Sequence, residues 1–563
     1  MAFQLKEKGR MEMKDFKKSV VYQIYPKSFC DTNGDGFGDL KGVTSKLDYL
    51  KELGVDYIWM TPFFISPQKD NGYDVENYYE IDPRYGTMED FEELSREAKK
   101  RGIDLMLDMV FNHTSDRHEW FQKALAGEEK YKKYYIFKKG KEDGSAPTNW
   151  ESKFGGSAWQ YVPEMDEYYL HLFDVSQPDL NWENEEVRKE VQKVIRFWME
   201  KGVKGFRFDV INLISKGEFQ DDYEGDGRRF YTDGPRIHEF LKELNEQTFG
   251  QEEGIITVGE MSSTSMENCF QYAGADSHEL SMVFNFHHLK VDFMGNEKWV
   301  LVPADFYKLK QILFDWQKGM AEHNAWNAVF WCNHDQPRVV SRFGDEGIYW
   351  KQSAKMLATI IHCFRGTPYV YQGEELGMTN AGFTDISQYQ DVESINHFRI
   401  LQEKGLTKSD AYRILQIHSR DNSRTPMQWE KKENGGFTTG TPWIEVNKNY
   451  ETINAKTERE DQDSIFYYYQ KLIELRKQYD VIAYGDFEEV AREHKDVIAY
   501  KRHYENETLF VISNFYGKET TLRLSENMNE YEKLLGNYEG INQTEEGLKL
   551  RPYETMILYK KEL

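Results

Sequence analysis

Cysteine is scarce and scattered. The 563-residue chain has four, Cys30, Cys269, Cys332 and Cys363, far apart and without a CxxC pair. This argues against a thiolate metal site or a redox motif and leaves four reduced core residues. Positive charge is in deficit, with 72 Lys and Arg against 96 Asp and Glu and a formal net charge of −24. Such a field repels nucleic acid and anionic membranes, so neither is an expected partner, and a phosphorylated substrate would need a local basic pocket. Long apolar runs are missing, and the start MAFQLKEKGRMEMKDFKK has charge but no apolar core, so neither a membrane span nor secretion is indicated and a cytoplasmic location is expected. Aromatic residues are plentiful at 15%, beside 39% hydrophobic and 30% charged residues. That composition is globular and suits a protein that stacks on sugar rings. The length exceeds the roughly 250 to 300 residues at which one core stops growing, so more than one domain is expected. Oligomeric state is left open, a monomer being compatible.

Short β-branched and aromatic runs alternate with amphipathic stretches. The runs are VVYQIYP (20–26), VDYIWM (55–60), IDLMLDMV (103–110), GFRFDVI (205–211), IITVGEM (255–261), LSMVFNF (280–286), NAVFWCN (327–333) and PYVYQGE (368–374). Between them, segments such as MEDFEELSREAKKRG and NEEVRKEVQKVIRFWMEKG repeat apolar residues at helical spacing. Eight β-α units predict an α/β chain folded as a (β/α)8 TIM barrel. After the third strand roughly 70 residues intervene, longer than a simple loop, so 115–183 reads as an inserted subdomain over the active-site face. A second excursion follows the eighth strand and ends at the helix DSIFYYYQKLIELRKQ. Beyond it VIAYKRHY, ETLFVISNFY, TTLRLS and TMILYKK alternate without helices. The expected division is a barrel over 1–114 and 184–488 and a C-terminal antiparallel β domain over 489–563.

Catalytic groups of such barrels stand at the C-terminal strand ends. Strand three closes with Asp108, Asn112 and His113; strand four carries Arg207 and Asp209; strand five ends in Glu260; strand seven ends in Asn333, His334 and Asp335. One carboxylate alone is commonly structural, but several on one face are the equipment of glycoside hydrolysis. Retaining enzymes set two carboxyls about 5 to 5.5 Å apart, a spacing that adjacent barrel strands supply. Arg207 lies two residues before Asp209 on the same side of the strand, so its guanidinium is expected to hold Asp209 ionised as the nucleophile. Glu260 follows the small, apolar TVG and is the expected acid, then base.

The segments DMVFNH, GFRFDVI, VGEM and FWCNHD resemble, in order and spacing, the four sequence regions of the α-amylase superfamily (glycoside hydrolase family 13), and QPDLNW (177–182) resembles its fifth. The resemblance spans essentially the whole chain. It implies that Asp335 is a third carboxylate binding sugar hydroxyls, and that His113 and His334 hydrogen-bond the same sugar. DNGYD (70–74) and RDNSRTPMQW (420–429) are similar to the oligo-1,6-glucosidase group. There, residues at the positions of Asp70 and Arg424 close the pocket around the non-reducing sugar, which implies exo-action. Tyr73 and Phe173 would be stacking platforms and Gln177 a polar wall; plain packing is the other reading of the two aromatics.

DTNGDGFGD places Asp31, Asn33 and Asp35 at alternate positions, then Gly36, the Phe37 carbonyl and Asp39. An EF-hand loop begins this way, but position 12 is Gly42 rather than Glu, so this is no EF-hand. The stretch resembles the calcium loop of the oligo-1,6-glucosidase group, which implies structural Ca²⁺ and no organic cofactor; a turn that binds nothing is the alternative.

Within that group YPKSF (25–29), VINLISK (210–216), GDGRRFYTDGPR (225–236) and FNFHHLKVDF (284–293) are similar to the branch that cleaves trehalose 6-phosphate. His287, His288 and Lys290, with Lys298 beyond, follow strand six and are expected at the rim where the leaving sugar sits, as donors to its phosphate. Val210, after the nucleophile, also resembles members that do not act on α-1,4 links. The competing readings are an oligo-1,6-glucosidase on neutral sugars, a transglycosylase such as a sucrose isomerase, and a non-catalytic transporter-associated domain.

Overall fold

The computed structural model describes residues 14–562, so the first 13 residues, on which the reading of the N-terminal leader largely rested, lie outside the described residues. All eight expected runs are strands of one parallel sheet: β1 (Val21–Ile24), β2 (Tyr57–Met60), β3 (Asp104–Met109), β4 (Gly205–Phe208), β5 (Ile256–Glu260), β6 (Met282–Phe284), β7 (Ala328–Val329) and β8 (Thr367–Tyr371). Their order is β6-β5-β4-β3-β2-β1-β8-β7, and a parallel bridge from Val283 to Asn327 closes the ring between β6 and β7. β1, β2, β4 and β8 are buried at every residue, as parallel strands must be when the barrel interior lies on one face and helices on the other.

The helices follow from their sequences. Met88–Lys100 starts at a reciprocal Thr87/Asp90 capping box and buries Phe91, Leu94 and Ala98. Glu185–Glu200 starts at Asn184, which accepts from the Glu186 N–H, and buries Val187, Val191, Val194, Ile195 and Trp198 against the barrel.

The insertion after β3 contains a three-stranded sheet (Phe137–Lys138, Trp159–Val162, Glu167–Leu170) and the short helices Glu119–Leu125 and Glu129–Lys132. Its core of Ile136, Trp150, Ala158, Trp159, Leu170 and Leu172 is shared with Val210, Leu213 and Tyr231 of the chain after β4. The excursion after β8 packs its helices Val392–Glu403 and Lys408–His418 around Phe398, Leu401, Ala411, Ile414 and Leu415.

A five-stranded antiparallel sheet follows, ordered Asp486–Val490, Val497–Tyr504, Glu507–Asn514, Thr555–Lys561, Glu532–Gly536. The boundary expected at 488/489 therefore falls inside a paired strand, and the C-terminal sheet begins at Asp486, which pairs with His503. The four cysteines are free and buried. Among the described residues no helix is long and apolar enough to cross a membrane.

Candidate active site

The site is set by register. Asp108 of β3 and Val258 of β5 pair with Arg207 of β4, and Phe208 pairs with Gly259, so the next step up places Asp209 beside Glu260. Arg207 is buried, and its Nη1 donates to Asp108 Oδ1 (2.6 Å) and Asp209 Oδ1 (2.5 Å) while Nη2 donates to Glu260 Oε2. One guanidinium thus touches three carboxyls from three neighbouring strands. Asp108 is fixed further by Tyr73 Oη (2.9 Å) and Trp59 Nε1 (3.2 Å). Directly after Asp209 the chain turns sharply at Val210, whose φ of 36° and ψ of 40° are a rare conformation for a β-branched residue.

The electrostatics correct one expectation. Burial pushes the Asp209 carboxyl up to about 7, with Arg207 pulling it down and the adjoining Glu260 carboxyl adding to the rise. Burial likewise takes Asp108 to about 6 against the pull of Arg207. Arg207 does not simply hold Asp209 ionised, because its single charge is divided among three acids. The Asp209 carboxyl is instead raised by burial to about 7, against the pull of Arg207.

A second cluster lies opposite. Asp335 Oδ1 accepts from Arg424 Nη2 (2.6 Å) and Oδ2 lies 3.2 Å from His334 Nε2, with Arg420 Nη1 at 3.5 Å. Burial works to raise Asp335, but His334, Arg420 and Arg424 hold it well below the usual carboxylate range. Arg420 in turn pairs with the buried Asp391 (2.6 Å). His334 is clamped by Gln23 Nε2 (2.8 Å) and Tyr73 Oη (2.8 Å) and lies flat against the Tyr73 ring, with centroids 5.3 Å apart. Gln177 Nε2 bridges Asp70 Oδ2 (3.0 Å) and His113 Nε2 (3.2 Å), and His113 packs on Phe173 at 5.1 Å. Burial pushes Asp70 up to about 7, with Arg420 opposing. Asp70 and Arg424 therefore face different partners, Gln177 and Asp335. Asn333 Oδ1 caps the Asp335 N–H (2.8 Å), and Asn112 joins Asp179 (3.1 Å) and Lys216 (2.7 Å). Sequence reasoning assigned no part to Arg420 or Asp391. Their signal was present, since Arg420 heads RDNSRTPMQW.

Residues 23–485 match the family profile "Alpha amylase, catalytic domain", and 497–557 match "Alpha-amylase SusG C-terminal domain". The chain belongs to the α-amylase family. This glycoside hydrolase is 58% identical over 551 residues to trehalose-6-phosphate hydrolase of Bacillus subtilis (strain 168), covering 96% of this chain and 97% of the relative. It is 49% identical over 561 residues to an oligo-1,6-glucosidase of Bacillus cereus, covering 98% and 100%. Among solved structures, Bacillus licheniformis trehalose-6-phosphate hydrolase superposes with a TM-score of 0.94 at 55% identity, covering 97% of this chain and all of that one.

In this α-amylase family member the four expected phosphate donors separate. His287–Leu289 forms a single 3₁₀ turn that sends His288 inward, where Nε2 meets the Phe330 carbonyl (2.8 Å) and burial pushes the imidazole down to about 4. His288 is thus a neutral core residue, not a rim cation. His287 is lowered by burial, its Nε2 on the Thr264 carbonyl (2.9 Å) and its ring on Trp316. Lys298 is engaged by Glu393 (3.1 Å) and lies over Trp299. Lys290 is half-buried, with no carboxylate or hydrogen-bond partner for its ammonium among the described residues.

The loop over residues 31–39 runs straight into the helix Leu40–Ser45. Asp39 caps that helix, Oδ1 accepting from Gly42 N (2.6 Å), and it also closes the loop, accepting from Thr32 N (2.8 Å) and from the Thr32 hydroxyl. Asp31, Asn33 and Asp35 curl the loop by accepting from N–H groups two to five residues on. Among the described residues no three acidic, imidazole or thiol groups converge as a metal cluster.

Proposed function

We propose that this glycoside hydrolase cleaves trehalose 6-phosphate to glucose and glucose 6-phosphate with retention. The observation that carries the reaction type is Arg207 joining Asp209 and Glu260 at the ends of adjacent strands. Asp209 attacks the anomeric carbon of the unphosphorylated glucose as Glu260 protonates the bridging oxygen, which leaves with glucose 6-phosphate. Glu260, now ionised, takes a proton from water, which releases glucose from Asp209. Asp335, ionised between Arg424 and His334, and the Gln177-bridged Asp70 and His113 hold the sugar hydroxyls. Burial raises the Asp209 carboxyl to about 7, so it must lose its proton before it attacks.

The substrate half is supported by two trehalose-6-phosphate hydrolases at 58% and 53% identity over nearly the full length. The expected result is a kcat/KM for trehalose 6-phosphate at least about 100-fold above that for isomaltose, a margin that a buried, charge-matched phosphate supplies. Strong isomaltose turnover with none on the phosphorylated sugar contradicts the proposal.

We also propose that Ca²⁺ binds the Asp31, Asn33, Asp35 and Asp39 side chains and the Phe37 carbonyl, an all-oxygen donor set suited to a hard cation. There it would supply a structural tie and no chemistry. Chelation is expected to lower the melting temperature and added Ca²⁺ to restore it; an unchanged melting temperature in both arms contradicts the site.

A further inference from the structure

We propose that Gln23 is a positioning residue for the glucose that is cleaved off. Its amide N–H fixes the His334 imidazole in the Nε2–H tautomer, which aims that N–H at Asp335 and Tyr73 and starts a one-directional hydrogen-bond chain to Asp108 and Arg207. The inference rests on glucoside cleavage at this site and holds whether or not the leaving sugar is phosphorylated. Gln23 was not a candidate from the sequence, where it is one polar letter inside the run VVYQIYP.

Gln23 lies on β1, where it pairs in register with Trp59 of β2 and Tyr371 of β8. It is 1% exposed, and an amide so deep in a barrel needs a partner. Among the described residues the hydrogen-bond partner of its side chain is His334 Nδ1, 2.8 Å from Nε2. The imidazole lies parallel to the rings of Tyr25 and Tyr73, with centroids 6.0 and 5.3 Å away, and Trp59 stands edge-on at 6.2 Å. Arg424 Nε donates to the His334 carbonyl (3.0 Å), so the backbone beneath the ring is held as well.

The protons on this chain run one way. Tyr73 Oη lies 2.9 Å from Asp108 Oδ2 and 2.8 Å from His334 Nε2, and a phenol has one proton to give. Asp108 also takes Arg207 Nη1 (2.6 Å) on Oδ1 and Trp59 Nε1 (3.2 Å) on Oδ2, donors that favour its ionised form. The phenol proton therefore goes to Asp108, and Tyr73 Oη accepts from His334. Asp335 Oδ2, 3.2 Å from the same Nε2, belongs to an acid paired with Arg424 and Arg420. Both neighbours require a proton on Nε2, which leaves Nδ1 as an acceptor for the Gln23 amide. With the proton on Nδ1 instead, a lone pair would face Asp335, and Tyr73 would turn its proton from Asp108 to His334.

The charges around the ring explain why an uncharged amide stands at position 23. Asp335, Arg420 and Arg424 face His334 from the end of β7 and the excursion after β8, Asp108 faces it from β3, and Arg207 lies over the Tyr73 ring at 5.8 Å. Burial raises the Tyr25 and Tyr73 phenols far above their ordinary range, so neither titrates near neutrality. Another carboxylate at position 23 would draw a proton onto Nδ1, whereas the amide supplies a donor and adds no charge.

The test compares the parent with Gln23→Leu and Gln23→Glu on p-nitrophenyl α-glucoside and trehalose 6-phosphate across pH. Gln23→Leu is expected to lower kcat/KM about tenfold, the scale of one buried hydrogen bond left unmade, and alike on both substrates because both carry the same glucose. Gln23→Glu is expected to approach the parent on the acid side, where the introduced carboxyl and Nδ1 share a proton and Nε2 keeps its own. As pH rises that shared proton leaves and the remaining one moves to Nδ1, so the alkaline limb should fall about one pH unit or more below the parent's, a shift that Gln23→Leu lacks. A Gln23→Glu profile parallel to the parent's, or Gln23→Leu within about twofold of the parent, overturns the role. If the parent cleaves the aryl glucoside but not trehalose 6-phosphate, the phosphorylated-substrate reading fails and the aryl glucoside arm decides Gln23 alone. Should a variant not fold, the ¹⁵N-histidine spectrum of the parent decides, with His334→Asn identifying the signals. A proton on Nε2 and none on Nδ1 supports the role; a proton on Nδ1 overturns it.

Discussion

Asp209→Asn is expected to lower kcat by at least roughly 10⁴-fold, the scale seen when an enzyme's covalent machinery loses its nucleophile. The amide is nearly isosteric and still accepts from Arg207 Nη1, which stands 2.5 Å from the carboxylate oxygen it would replace. The fold should survive, with a melting temperature close to that of the parent. An activity loss without unfolding separates a chemical role from a structural one.

The same residue predicts the acid limb of the pH profile. Its folded value is raised to about 7, so the ionised, attacking form is the major one above pH 7 and is lost below it. The kcat/KM of the parent should fall about tenfold per unit on the acid side, with an apparent pKa near 7. A flat profile down to pH 5, or an Asp209→Asn enzyme that keeps a tenth of parental turnover, contradicts the assignment.

Glu260→Gln should separate substrates by their leaving groups. General acid catalysis contributes about 10² to 10⁴-fold, and that whole factor is expected to be lost on trehalose 6-phosphate, whose sugar alkoxide needs a proton to depart. p-Nitrophenolate departs without one, so kcat/KM on the aryl glucoside should fall far less. Release from Asp209 still needs Glu260 as base, so a burst of p-nitrophenolate followed by slow turnover is expected. Gln keeps an oxygen for Arg207 Nη2, which limits rearrangement of the cluster. Equal losses on both substrates without a burst contradict the acid role.

The barrel was legible because parallel strands buried on both faces read as continuous apolar runs, and the candidate carboxyls were legible because they close those runs. Even β7, two residues long as a paired strand, was visible as NAVFWCN because the chain stays apolar to Asn333. Other features depend on distances that a linear pattern does not carry. The division of Arg207 among Asp108, Asp209 and Glu260 needs the register of three strands. Arg420 and Asp391 reach the site through an excursion packed on its own core. His288 reads as polar, and only the turn at His287–Leu289 decides that it points inward. In the C-terminal sheet, Asp486–Val490 and Glu532–Gly536 were not anticipated; DFEEV and EKLLG are short and half-exposed and lack a continuous apolar run.

Retaining hydrolysis of a phosphorylated α-glucoside is tested most directly by following trehalose 6-phosphate cleavage by proton NMR from the first seconds. The account predicts glucose and glucose 6-phosphate in equal amounts, with the glucose appearing first as the α anomer and the β anomer growing in only by mutarotation. Glucose released first as the β anomer would contradict the double displacement through Asp209, and no cleavage of the phosphorylated sugar would contradict the proposed substrate.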